Sequence, residues 1–136
     1  MRQIVIPEFG DASVLELREA ALPEPGEGQV RVRVASAGVN PIDFKTRSGQ
    51  GFVANAIRDH LPWVPGFELA GTIEAVGAGV DGWRKGDSVV GMTGFPRAGG
   101  GYAEQALVRP DELCLAPQSL KLEELGGVPL AALTAW

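Results

Sequence analysis

The chain has 136 residues and a formal net charge of -5, from 12 lysines and arginines against 17 aspartates and glutamates. That length is one ordinary domain, able to bury about two-thirds of the surface its unfolded chain exposes, and the charge excludes a general nucleic-acid surface, which needs clustered cations. With a single cysteine, no run near the roughly 20 apolar residues that span a bilayer and no secretory leader, nothing asks for a disulfide, an oxidising compartment or a membrane, so the cytoplasm is the expected location.

The 19 glycines and 10 prolines, in a chain that is 45% hydrophobic, describe short strands joined by tight turns, hence a mostly β domain. Residues 2–6 alternate as a first strand, residues 14–18 supply a second, and residues 24–28 form a turn. Residues 29–35 then alternate cleanly, with Val30, Val32 and Val34 facing a core and Arg31 and Arg33 on a solvated face. Asn40 is a good N-cap and Pro41 occupies the favoured first helical position, so a short helix is predicted to run toward a stop at Gly49. On the residues alone, Asn40 is a cap and Asp43 a first-turn acid that complements the helix dipole.

Residues 50–60 carry Phe52, Val53, Ala54, Ala56 and Ile57 and read either as a helical turn or as a flap. His60, the only histidine, has no partner in sequence and reads as a surface or satisfied residue. Pro65-Gly66 forces a sharp bend that places Phe67 and Glu68 where a cleft can form. Residues 72–76 and 88–90 are β-branched strands bounded by glycines, with a turn at Lys85-Gly86-Asp87. Gly77-Ala78-Gly79-Val80-Asp81-Gly82 matches G-x-G-x-x-G but is rejected as a dinucleotide fingerprint. Too few residues follow for a crossover helix, and no acid stands at the required distance of roughly 20 residues. Residues 92–101 form a glycine-rich loop, residues 102–108 a strand, and residues 113–117 a last strand with Cys114 as a small buried residue. Ser119 is the candidate cap of a helix carrying Leu122 and Leu125, Gly126-Gly127 interrupts it, and Pro129 starts another. The last residues hold one polar group, Thr134, and no stop signal, so the chain is expected to continue into a longer protein.

The bend Pro65-Gly66-Phe67-Glu68-Leu69-Ala70-Gly71, followed by a strand, the Val76-Gly77-Ala78-Gly79-Val80 turn and Gly86-Asp87-Ser88-Val89, resembles the medium-chain dehydrogenase/reductase superfamily. The resemblance runs from the Val30 strand to Thr134-Ala135-Trp136 and is nearest the zinc-independent quinone and enone reductases. It implies a partly open GroES-like β-barrel with a few short helices. Residues 1–121 would be the catalytic domain, and residues 122–136 the start of connecting helices toward a nucleotide-binding domain. NADPH would lie between the two, its nicotinamide end held by Asn40, Asp43 and Thr134, and residues 50–63 would shape the substrate wall. Lys45, where several relatives carry tyrosine, is the candidate catalytic residue, and whether it meets cofactor, substrate or solvent stays open.

The resemblance also bears on metals. Residues 92–101 lack the four-cysteine lobe of zinc alcohol dehydrogenases, the catalytic zinc positions correspond to Asn40 and Phe67, and Glu68, Cys114 and His60 are too scattered to replace them. No metal is expected. The implied reaction is hydride transfer from NADPH to a quinone or an α,β-unsaturated carbonyl, with a homodimer as a compatible assembly. The competing readings are a zinc-type alcohol dehydrogenase relative and a non-enzymatic GroES-like binding or assembly module. Because aspartate caps helices as well as asparagine, Asn40→Asp is expected to keep the helix while lowering activity.

Overall fold

The computed structural model describes residues 1–136. At the amino terminus, β1 (Arg2–Val5) pairs antiparallel with β2 (Glu16–Glu19). The second strand begins at Glu16 and not at Val14, because the Asp11 carboxylate accepts the Ser13 N–H at 2.8 Å and winds Ala12–Val14 into a 3₁₀ turn.

Five further strands, β3 (Val30–Ala37), β4 (Glu68–Val76), β5 (Ser88–Met92), β6 (Gln105–Val108) and β7 (Leu113–Leu115), form an antiparallel sheet in the order β6-β3-β4-β5-β7. The alternation read in β3 is its cause: Val30 and Val32 turn inward and pack with Leu69, Ile73, Val89 and Val108. The two arginines of β3 part company. Arg33 is exposed and pairs with Glu74, whereas the Arg31 side chain is only 12% exposed and donates to the Pro23 carbonyl at 2.9 Å. Two register shifts between β3 and β4 curl the sheet. Ile4 donates to the Tyr102 carbonyl, Glu104 to the Arg2 carbonyl, and Ile6 and Trp63 exchange a pair of backbone bonds, so the small sheet is stitched to the large one as a partly open barrel.

Four short helices cover one end: α1 (Pro41–Arg47), α2 (Gly51–Ile57), α3 (Leu122–Leu125) and α4 (Pro129–Ala135). Residues 50–60, ambiguous in sequence, are helical because Val53, Ala54 and Ile57 are buried on one face, where Val53 and Ile57 pack with Ile6, Trp63 and Phe67. Burying Phe67 or Ile57 completely is worth about 1.5–3 kcal/mol each. The cap of α3 is Lys121 and not Ser119, since the Glu124 carboxylate accepts the Lys121 N–H at 3.0 Å. Leu125 is buried against Ala70 and Val90, which ties α3 to the sheet. Cys114 is exposed and not buried, because β7 is the sheet edge and only three residues long. In the glycine run after β4, Gly79 and Gly82 have positive φ and Gly77 donates to the Gln29 carbonyl; the segment is a turn that leads back toward β5 with no helix behind it. No helix is long and apolar enough to cross a membrane.

Candidate active site

Between α1, α2, α4 and the loop after β5 lies a cavity of about 640 Å³. Its apolar wall ends an aromatic ladder. Trp63 packs on Phe67 with ring centroids 5.5 Å apart, Phe67 meets Phe95 edge to face at 5.4 Å, and Phe95 meets Phe52 edge to face at 6.0 Å. Each such pair adds about 0.5–1.5 kcal/mol beyond area burial. The inner rings are buried, and Phe52 and Phe95 are exposed at the cavity. The Trp63 indole N–H reaches the Arg97 and Ala98 carbonyls, both at 3.0 Å, and so fixes the loop that carries Phe95.

Beneath the cavity is a buried polar network. The Asp43 carboxylate accepts the Asn40 N–H at 2.8 Å through one oxygen and the Gly66 N–H at 3.2 Å through the other, so it closes the start of α1 and pins the bend. The Asn40 side chain does not cap the helix. Its Nδ2 donates to Glu68 Oε1 at 2.5 Å, while Glu68 Oε2 accepts the Leu130 N–H in the first turn of α4 at 2.7 Å. An ionised carboxylate only accepts, so the Asn40 amide nitrogen must face it and Oδ1 is left free. Glu68 is 1% exposed and fits only because residue 38 is glycine: a Cβ there would overlap the carboxyl group. Gly66 has φ +95°, which favours glycine, and the Thr93 hydroxyl donates to its carbonyl at 2.7 Å.

Burial raises the Asp43 pKa above its ordinary value of 3.8, against the pull of the two backbone N–H groups. Beside it the Tyr102 hydroxyl is buried without a hydrogen bond of good geometry, and burial, then the Asp43 carboxylate, hold its pKa far above the usual range. For Asp43 the sign is that of a raised acid: it favours the fold most below pH 3.8, and that contribution is lost as pH rises through its folded pKa. Asp43→Asn is therefore expected to destabilise the protein more at mildly acidic pH than at neutral pH. Urea denaturation at both checks this, and an equal loss at the two would contradict it.

Of the four residues singled out from sequence, Lys45 and Thr134 line the cavity, whereas Asn40 stands behind Pro41 and Asp43 turns inward, 4% exposed. The Thr134 hydroxyl donates to the Leu130 carbonyl at 2.7 Å, which leaves its lone pairs as acceptors toward the cleft. Phe67 and Glu68 do not line the cleft, as the bend suggested; both are buried under it. Sequence reasoning missed Glu68 as the tie between α1 and α4, and missed Phe95 and Thr46 in the wall. Gly38, with no turn to justify it, was the available signal for Glu68; Phe95 and Thr46 had none. His60 and Cys114 are exposed on separate elements, and no three histidine, cysteine, aspartate or glutamate side chains converge on a point that would hold a metal ion.

An open antiparallel barrel with an apolar cleft at one end and a buried carboxylate that joins the starts of two helices is a GroES-like catalytic domain of the medium-chain dehydrogenase/reductase type. Residues 26–118 match the alcohol dehydrogenase GroES-like domain, and the chain belongs to that family. It is 37% identical over 137 residues to a quinone oxidoreductase of Lama guanicoe, covering 100% of this chain and 39% of that protein. It is 35% identical over 135 residues to a 2-methylene-furan-3-one reductase of Solanum lycopersicum, covering 95% of this chain and 34% of that one. The Escherichia coli quinone oxidoreductase solved in complex with NADPH superposes with a TM-score of 0.87 at 28% identity, over 98% of this chain and 39% of that chain. The chain thus spans less than half the length of these relatives.

Proposed function

We propose that the chain is the catalytic-domain portion of an NADPH-dependent oxidoreductase that transfers hydride, without zinc, to a quinone or an α,β-unsaturated carbonyl. One observation carries the reading: an aromatic-walled cavity is lined by α1, and the asparagine immediately before that helix has its amide oriented by a buried glutamate. The names of the relatives support it, and the relative solved with NADPH supports the choice of donor.

The polar groups fit the nicotinamide end of such a donor. Its carboxamide offers two N–H donors, and Asn40 Oδ1 and Thr134 Oγ1 are both left as acceptors. Asp43 acts at one remove, by holding Asn40 and the bend. NADPH, when bound, would supply the hydride for the acceptor, with a solvent proton completing the reduced product. Phe52 and Phe95 orient a planar acceptor and keep water from its face. Lys45 is the one cation on the wall. The chain has no cradle for the pyrophosphate, so residues 1–121 act as the catalytic domain and residues 122–136 lead toward a nucleotide-binding domain, in a cytoplasmic enzyme.

The test compares the full-length protein with the 136-residue chain. The full-length protein is expected to oxidise NADPH with at least one member of a quinone and enone panel, unchanged by a zinc chelator. The chain alone is expected to turn over nothing. Its few hydrogen bonds to the nicotinamide, each worth about 0.5–1.5 kcal/mol, fall short of an association cost of about 4–15 kcal/mol. Chelator-sensitive turnover would refute the zinc-independent reading, and micromolar NADPH binding by the chain in calorimetry would refute the division of the site.

A further inference from the structure

We propose that Lys45 makes the cleft selective for acceptors carrying a fixed negative charge, a carboxylate in particular; this rests on the oxidoreductase reading and names the substrate class of that site. The wall of the cavity includes one charged side chain, Lys45, and no aspartate or glutamate. Seven of the chain's 12 cations, Arg2, Arg18, Arg31, Arg33, Arg84, Lys85 and Arg109, pair with carboxylates, and of the five that do not, Lys45 is the one that lines the cavity. Lys45 has no carboxylate within salt-bridge distance, in a chain whose net charge is -5.

Lys45 does sit in the last turn of α1, where a cation complements the helix dipole, but Arg47 in the same turn also serves that end and reaches the Gly10 carbonyl at 3.4 Å. The polar groups around Lys45 point the same way. Thr46 is buried in the cavity wall, and its hydroxyl has no hydrogen-bond partner; Gln50 adds an amide on that side. Lys45 and Gln50 offer an ammonium and an amide donor at the cavity, a pair that suits a carboxylate. Lys45 is exposed in this chain, and a neutral quinone seated against it would displace water from the ammonium in return for no more than a hydrogen bond to a carbonyl oxygen, whereas an acidic acceptor also neutralises the charge. Discrimination thus comes from penalising the neutral competitor as well as from attracting the charged one.

The experiment uses the full-length protein with NADPH and a matched pair of planar enones, 3-benzoylacrylate and its methyl ester. In either case hydride adds to one alkene carbon and a solvent proton to the other, giving the saturated ketone and NADP⁺. Comparing wild type with Lys45→Met, the ratio of kcat/KM for carboxylate over ester is expected to fall about tenfold to a hundredfold, the range of one charge-assisted hydrogen bond. The change should lie in the KM of the carboxylate. Lys45→Arg should retain most of the ratio, and calorimetry of the reduced product, 4-oxo-4-phenylbutanoate, should show the same loss of binding in Lys45→Met without any turnover. A ratio unchanged in Lys45→Met, whether both acceptors slow alike or neither does, overturns the inference while the oxidoreductase reading stands. A wild type that reduces no enone or quinone overturns both.

Discussion

Glu68→Ala is expected to lower the unfolding free energy by about 3–5 kcal/mol, because it opens a cavity under the bend and strands two donors at once. The Asn40 amide and the Leu130 N–H both lose their acceptor, and the first turn of α4 loses its tie to the barrel. Glu68→Gln separates packing from orientation. Glutamine can accept from Leu130 through its oxygen and donate through its nitrogen to Asn40, provided that the Asn40 amide turns over. Stability should then fall by only about 1 kcal/mol. The turned amide would present N–H groups to the cleft, so nicotinamide affinity in the full-length protein should drop even though the fold persists. Urea denaturation of the two variants measures the first effect, and a loss below about 1 kcal/mol in Glu68→Ala would remove the carboxylate from the account.

Asn40→Asp is expected to destabilise the fold by about 2–4 kcal/mol at neutral pH, the scale of two like charges near contact at an intermediate effective dielectric. This reverses what helix capping alone suggests. The helix start is closed by Asp43 through the Asn40 backbone, so the side chain at position 40 is free of that duty and faces the Glu68 carboxylate instead. As pH falls, one proton shared between the two carboxyls relieves the repulsion, so the variant should regain stability relative to wild type under mildly acidic conditions. Equal stability of variant and wild type at pH 7 would show that the Asn40–Glu68 contact does not persist in solution.

These two variants mark where legibility stopped. Val30, Val32, Pro41, Pro129 and the glycine-bounded strands announced their elements because each acts over a few neighbouring residues, through periodicity or a fixed φ. The Asn40–Asp43 backbone closure was within reach for the same reason. Glu68 was not, since its partners lie 28 and 62 positions away and no local pattern encodes them. Cys114 was misread because burial in a strand depends on whether another strand lies beyond it, and β7 is at the edge. The cavity wall was half visible: residues 50–63 contribute Phe52, but Phe95 comes from a glycine-rich loop, where an aromatic ring carries no sign of its neighbour.

The stitching of β1 to the segment around Tyr102 sets an order on how the molecule is made. Arg2 and Glu104 are 102 residues apart in the chain, and at about 5–20 residues per second a ribosome needs about 5–20 s to supply the second after the first. Through that interval the β1–β2 pair has no partner on its far side, while β3, β4 and β5 emerge in turn and can zip as antiparallel neighbours. Only then can β6 dock on β3 and the amino-terminal strand be clasped. The Leu130 amide reaches the ribosome exit later still, so the carboxylate that orients Asn40 receives its second donor only after every strand of the barrel has emerged.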